Sequence, residues 1–189
     1  MPDKDNAVYL TFDDGPHPAA TPFVLNELKK YNAPATFFCL GKNVMSHPDI
    51  YQDILSAGHA VGNHTQNHLN GWKTPADIYL NNIAEAARYI PTNLFRPPYG
   101  RIKKSQAKQI TGVLQRPDAK IIMWDVLSAD FDTTITPQQC ARNVLKHITA
   151  GSVIVFHDSE KAFTNLAYAL PLVLDELKKQ GYIFKKIEV

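Results

Sequence analysis

The sequence predicts an α/β protein built as a parallel barrel of about seven strands, and three observations lead there. Short β-rich runs alternate with helical stretches from one end of the chain to the other, the pattern of βα units laid on a parallel sheet. The helical stretches open on polar caps followed by first-turn prolines and place their apolar residues on one face. The chemically suggestive side chains fall just after the predicted strands, at the carboxyl ends where parallel βα barrels carry their chemistry.

Taken in order, a first strand is expected over residues 7–12, where Val8-Tyr9-Leu10-Thr11-Phe12 forms an apolar, aromatic run. Thr21-Pro22 then opens a helix bearing Val24, Leu25, Leu28 and Tyr31. A strand over 35–40 is followed by a helix over 48–57, closed by Gly58, and a strand over 59–62. Thr74-Pro75 opens a helix with Ile78, Ile83 and Ala87 on one side. Strands over 94–96, 120–124, 152–156 and 182–187 alternate with helices over 105–114, 137–149 and 166–180, the last closed by Gly181. Pro171 inside that last helix implies a kink or a later start. Without repeats, low-complexity segments or a linker-like shift in composition, residues 1–189 read as a single domain.

Composition sets few further bounds. A chain of 189 residues that is 44% hydrophobic can bury one substantial core. Its net charge of +2 carries no basic stripe, so no nucleic-acid partner is expected. No stretch reaches the roughly 18 apolar residues of a membrane span. The polar opening Met1-Pro2-Asp3-Lys4-Asp5 lacks the apolar core of a secretory signal, which leaves an intracellular protein or an export segment outside this chain. Cys39 and Cys140 lack CxxC spacing and read as buried thiols, with a disulfide between them still open.

Five segments bring polar residues to the predicted strand ends: Asp13-Asp14, His64 with His68, Arg96, Asp125 to Asp130, and His157. In His64-Thr65-Gln66-Asn67-His68, two imidazoles at a spacing of four would project from one face of a helical turn and share a cation. Asp14 is the natural third ligand, since a carboxylate and two imidazoles suit zinc or a similar divalent ion and leave positions for water and substrate. Taken alone, the histidine pair also fits a polar surface, and Asp13-Asp14-Gly15-Pro16 also fits a tight turn. The turn leaves two like charges side by side after an apolar strand, a conflict that a nearby cation removes. Arg96 alone reads as an exposed strand-end arginine and His157 as a core histidine, although Asp130 and Asp158 nearby favour a charged imidazole. Thr65 stands where a zincin protease has its glutamate, so proteolysis is not expected. Its hydroxyl suits bracing of the loop.

As a set, Thr11-Phe12-Asp13-Asp14-Gly15-Pro16, His64-Thr65-Gln66-Asn67-His68, Arg96-Pro97-Pro98-Tyr99-Gly100, Ser128-Ala129-Asp130-Phe131 and Val155-Phe156-His157 resemble the five ordered motifs of the NodB-homology polysaccharide deacetylases, carbohydrate esterase family 4. The resemblance spans nearly the whole chain and implies a distorted (β/α) barrel. It implies Asp13 as general base, Asp14, His64 and His68 as metal ligands, and His157 as general acid. It further implies Arg96 holding Asp13, Asp130 tuning His157, and the Tyr99 amide stabilising the oxyanion. The cofactor implied is one divalent metal, zinc, with cobalt or nickel as alternatives.

Phe131 stands where the family usually has tryptophan, and Val155 where it usually has leucine. These side chains, with Pro98, are expected to wall a small pocket for the acetyl methyl, so the chemistry should survive while substrate preference shifts. Asp125 rivals Asp130 as the partner of His157. The expected substrate is an acetylated glycan, with N-acetylglucosamine units of chitin-like or peptidoglycan chains leading and an O-acetyl ester, as in acetylated xylan, served by the same machinery. A catalytically silent carbohydrate-binding barrel would be expected to lack one of Asp13, Asp14, His64, His68 and His157, all of which are present. By resemblance the protein is expected to act in an extracytoplasmic or periplasmic setting, and a monomer is expected.

Overall fold

In the computed structural model, described over residues 5–188, the first strand β1 (Ala7–Asp13) is buried along its whole length and forms the centre of the sheet. Met1 to Lys4 of the polar opening lie outside the described residues. One edge of β1 pairs with β7 (Val153–His157). The other is shared between β8 (Ile183–Lys185), against Ala7 to Tyr9, and β2 (Thr36–Cys39), against Thr11 to Asp13. Beyond β2 follow β3 (Ala60–Asn63), β4 (Leu94–Phe95) and β5 (Lys120–Ile121), and beyond β7 lies β6 (Val126–Leu127). Every pairing is parallel.

The sheet is a distorted (β/α) barrel of eight strands, one more than the sequence predicts. The addition is β6, two residues with no periodicity of their own, formed because Val126 and Leu127 register against Ile154 and Val155. β5 and β6 are consecutive in the chain yet occupy the two ends of the strand order, so the barrel stays open between them. The chain crosses this seam at Met123 and Trp124: Ile122 N still donates to Phe95 O, whereas Asp125 N donates to Val153 O on the far side.

Side-chain alternation divides the two faces of the sheet. Val8, Leu10, Phe12, Phe37, Ile154 and Phe156 point outward into the main core. There Phe12 stacks between Phe37 and Phe156 at centroid distances of 5.0 and 6.1 Å. The helices α1 (Ala20–Lys30), α3 (Pro48–Ser56), α7 (Pro137–His147) and α8 (Phe163–Lys179) cover this face with Leu28, Ile54, Val144, Leu170 and Val173. Tyr9, Phe38, Leu94 and Ile187 form a smaller cluster inside the barrel. Thr11 and Asp13, alternating with Leu10 and Phe12, therefore face inward.

Several helices differ from expectation. α1 begins at Ala20, ahead of Thr21-Pro22, and α8 begins at Phe163 and runs through Pro171. The helix expected over 105–114 is two pieces, α5 (Lys104–Ala107) and α6 (Ile110–Leu114). An unpredicted helix, α2 (Gly41–Ser46), forms because its first amides find partners outside it: Gly41 N donates to Thr65 O and Lys42 N to Gln66 O. α4 (Ala76–Ala87) follows Thr74-Pro75 as expected. Both cysteines are buried and free, which closes the disulfide alternative.

Candidate active site

β1 delivers Asp13 to the inner rim, and Asp14 turns out of the strand in the left-handed region at φ 81°. Its amide donates to Phe38 O at 3.2 Å, and its carbonyl accepts from Asn43 Nδ2 at 2.7 Å. A non-glycine residue held at positive φ costs of order 1–3 kcal/mol, an expense that concentrates at functional sites.

The histidine loop corrects the expected helical turn. Residues 64–68 are irregular, and Thr65 and His68 sit at φ 69° and 58°. Side chains clamp the loop instead. Asn63 Oδ1 accepts from Thr65 N at 2.8 Å, while Asn82 Oδ1 on α4 accepts from Gln66 N and Asn67 N at 3.1 and 3.0 Å. Asn63 Nδ2 in turn donates to Ile83 O. The Thr65 hydroxyl, expected to brace the loop, is buried and has no hydrogen-bond partner. Asn82 was not anticipated; its signal is an amide among Tyr79, Ile83 and Ala86 on the buried face of α4.

The loop brings the two imidazoles within 5.2 Å of each other, centroid to centroid. Asp14 Oδ1 lies 3.7 Å from His64 Nε2 and 3.2 Å from His68 Nε2, and all three ligand atoms lie within 4.8 Å of one another. Donors held 2.0–2.2 Å from one tetrahedral ion stand about 3.5 Å apart, so the set fits a divalent cation. Two further features agree. Asp14 Oδ1 is buried and accepts no hydrogen bond, an orphaned acceptor that a cation would satisfy. His64 Nδ1 donates to Arg96 O at 2.7 Å, which fixes the tautomer and leaves the Nε2 lone pair facing the cluster. Burial pushes His68 down to about 4, keeping its ring neutral as a ligand must be.

Arg96 is not an exposed strand-end residue but a fully buried one, filling the barrel's open seam. Its Nη1 donates to Asp13 Oδ1 at 2.8 Å and to Thr11 Oγ1 at 2.7 Å. Nε and Nη2 donate to Ile122 O and Met123 O at 3.1 and 3.4 Å, on the segment crossing the seam. The guanidinium lies 4.0 Å from the Phe38 ring centroid. One planar fork thus ties β1 to the seam crossing while compensating the buried Asp13 charge. Asp13 Oδ2 remains 3.9 Å from His64 Nε2, beside the cation cluster.

His157 Nδ1 donates to Asp130 Oδ1, and His157 N to Asp130 Oδ2, each at 2.7 Å. Burial opposes the imidazolium, but the Asp130 charge and hydrogen bond override it and push His157 up to about 9. Ser128 Oγ donates to Asp130 Oδ1 and fixes the carboxylate in turn, while Asn165 Nδ2 donates to the Asp130 main-chain carbonyl. Asp125, the rival partner, instead accepts from Val153 N at 3.1 Å. Asp158 also faces away from the imidazole: it accepts from Gly15 N and the Thr21 hydroxyl behind the Asp14 turn, and burial pushes it up to about 8.

Asp13, Asp14, His64, His68, Tyr99 and His157 line one cavity of about 510 Å³. Tyr99 occupies a short 3-10 turn (Pro98–Gly100) at φ 61°, its ring 59% exposed and edge-on to His68 at 4.5 Å. Phe131 packs edge-on against His157 at 5.1 Å. Neither Val155 nor Pro98 lines the cavity: both are buried, and Val155 lies one inward position deeper than His157. Leu127 and Trp124 form the apolar wall with Phe131, and Arg101 and Lys161 add two unpredicted cations. His17 and His59 are structural, each accepting backbone amide hydrogen bonds through Nδ1.

The family model described as polysaccharide deacetylase matches residues 1–114. A peptidoglycan-N-acetylglucosamine deacetylase of Bacillus cereus is 32% identical over 97% of this chain and 87% of its own length. The PgdA peptidoglycan-N-acetylglucosamine deacetylase of Listeria monocytogenes is 35% identical over 96% of this chain, which spans 38% of that relative. Among solved structures, the Bc1960 peptidoglycan N-acetylglucosamine deacetylase, in complex with 4-naphthalen-1-yl-N-oxidanyl-benzamide, superposes with a TM-score of 0.90 at 33% identity. It covers 98% of this chain and 88% of the other. With a family model matched over more than half its length and relatives aligned nearly end to end, the chain belongs to the polysaccharide deacetylase family.

Proposed function

We propose that the protein is a metal-dependent deacetylase that hydrolyses N-acetyl groups from N-acetylglucosamine units of a chitin-like or peptidoglycan glycan. The observation that carries this reading is the meeting, around one cavity, of a cation-binding trio, a carboxylate paired to a buried arginine, and an imidazole raised by its own carboxylate.

Asp14, His64 and His68 would hold the ion, zinc being the best match to one carboxylate and two imidazoles and cobalt or nickel fitting the same donors. When bound, a divalent cation supplies Lewis acidity toward the acetyl carbonyl and lowers the pKa of water from 15.7 toward about 7. Asp13 is the general base. Arg96 occupies its Oδ1, which leaves Oδ2, beside His64, to take the proton of the attacking water. As charge grows on the carbonyl oxygen, the Tyr99 amide would donate to it; losing one such donor typically costs about 10²–10³ in rate. The departing amine is a poor leaving group unless protonated. His157 supplies that proton from Nε2, since Nδ1 is committed to Asp130. Phe131 and Leu127 offer an apolar seat for the acetyl methyl.

Acetate release from chito-oligomers, peptidoglycan and acetylxylan, with and without chelator, tests this reading. The expected result is chelator-sensitive release from an N-acetylated glycan, with Asp13→Asn losing turnover while retaining its metal. Release from acetylxylan alone, or from no substrate by metal-loaded protein, would overturn it.

A further inference from the structure

Two cations line the catalytic cavity without a part in the chemistry proposed for it, Arg101 on the Tyr99 side and Lys161 on the Phe131 side. Among the described residues neither has a carboxylate within ion-pair distance. Each lies over an aromatic ring. The Arg101 guanidinium carbon is 4.6 Å from the Trp72 centroid, and Lys161 Nζ is 5.8 Å from that of Phe131. The Arg101 mount is itself braced: the Trp72 indole N–H donates to Ile102 O at 3.2 Å, and Arg101 O accepts from Gly71 N at 3.1 Å. Lys161 adjoins Glu160 in sequence and acts electrostatically on Asp132, so its charge is partly answered. Neither Gly100 nor Ile102, the chain neighbours of Arg101, is acidic.

Trp72 is 56% exposed, yet the guanidinium occupies one face of its ring, which takes that face away from a stacking sugar. A guanidinium resting on an indole keeps its N–H edge free and costs less ordering when a planar anion arrives. The apolar wall of Trp124, Leu127 and Phe131 strengthens any charge contact made beside it. We propose that Arg101 is a specificity residue that accepts a carboxylate on the sugar adjoining the N-acetylated one, so that the preferred substrate is an anionic glycan rather than a neutral homopolymer. The proposal rests on the deacetylase reading above and names the substrate class for that site.

The test uses tetrasaccharides of alternating N-acetylglucosamine and N-acetylmuramic acid, with the lactyl carboxylates either free or converted to primary amides of nearly the same size. For the native protein at low salt, kcat/KM for the free acid should exceed that for the amide by about tenfold or more, as one charge-assisted contact provides. The ratio should reside mainly in KM and shrink as salt is added. Arg101→Gln should bring it close to one, and Arg101→Lys to an intermediate value. Equal turnover of acid and amide by the native protein, or a ratio that survives Arg101→Gln, would overturn the selectivity while leaving the deacetylase reading intact. No acetate from either tetrasaccharide or from a chito-oligomer would overturn both.

Discussion

Replacing Asp130 by asparagine removes one negative charge from beneath His157 while keeping the side chain's shape. Three donors converge on the Asp130 carboxylate: His157 N, His157 Nδ1 and Ser128 Oγ. An amide offers one acceptor oxygen and cannot satisfy them all. Burial penalises the charged ring, and it is the Asp130 charge that reverses the balance, taking His157 from 6.5 up to about 9. That rise corresponds to roughly 3 kcal/mol in favour of the imidazolium. In Asp130→Asn the pKa should fall to 6.5 or lower. At pH 8 the protonated fraction would drop from about nine-tenths to about three-hundredths, a loss of roughly thirtyfold in available acid. The linkage has a definite sign. A histidine raised in the folded state adds stability that is fully present below pH 6.5 and is lost as pH rises through about 9, so the stability gap between native protein and variant should close above that pH. The pH profile of kcat/KM gives the kinetic limb, and an NMR titration of the His157 ring gives the pKa directly. An alkaline limb that stays near 9 in the variant would refute the assignment of Asp130 as the group that charges His157.

Other perturbations follow from the same geometry. Arg96→Met leaves Asp13 buried without its partner and opens the barrel seam; a loss of about 3–5 kcal/mol is expected, seen as a fall of about 10 °C or more in Tm. Arg96→Lys should recover only part of this, because an ammonium cannot reach Asp13, Thr11, Ile122 and Met123 together. Asn82→Ala touches no metal ligand but frees the amide of Asn67 and leaves that of Gln66 only the Asn82 main-chain carbonyl, so zinc affinity by calorimetry should weaken about 10-fold. An unchanged affinity would mean that the loop holds its shape without the clamp.

Much of the site was legible in the sequence because its parts sit where local pattern changes. Asp13-Asp14 ends a plainly apolar strand, and the paired histidines follow a short one, so strand ends located both. The positive φ values of Thr65 and His68 left no trace, since neither residue is one that announces a left-handed turn, and spacing alone suggested a helical one. The resemblance implied Arg96 as a partner for Asp13, but nothing local marked it as the filler of a seam, because the failure of β5 and β6 to pair is a property of the whole sheet's topology. The choice between Asp125 and Asp130 hung on the register of β6 against β7, and two residues are too few to carry a strand signal. α2 was invisible for a related reason: its first amides are satisfied by the histidine loop, a contact between segments more than twenty residues apart.

The cation cluster is the claim on which the rest depends, and anomalous scattering from crystals of the protein loaded with zinc tests it most directly. The expected result is a single strong peak about 2.0–2.2 Å from Asp14 Oδ1, His64 Nε2 and His68 Nε2, with Asp13 beside it and uncoordinated. A peak elsewhere, or none at saturating zinc, would contradict it.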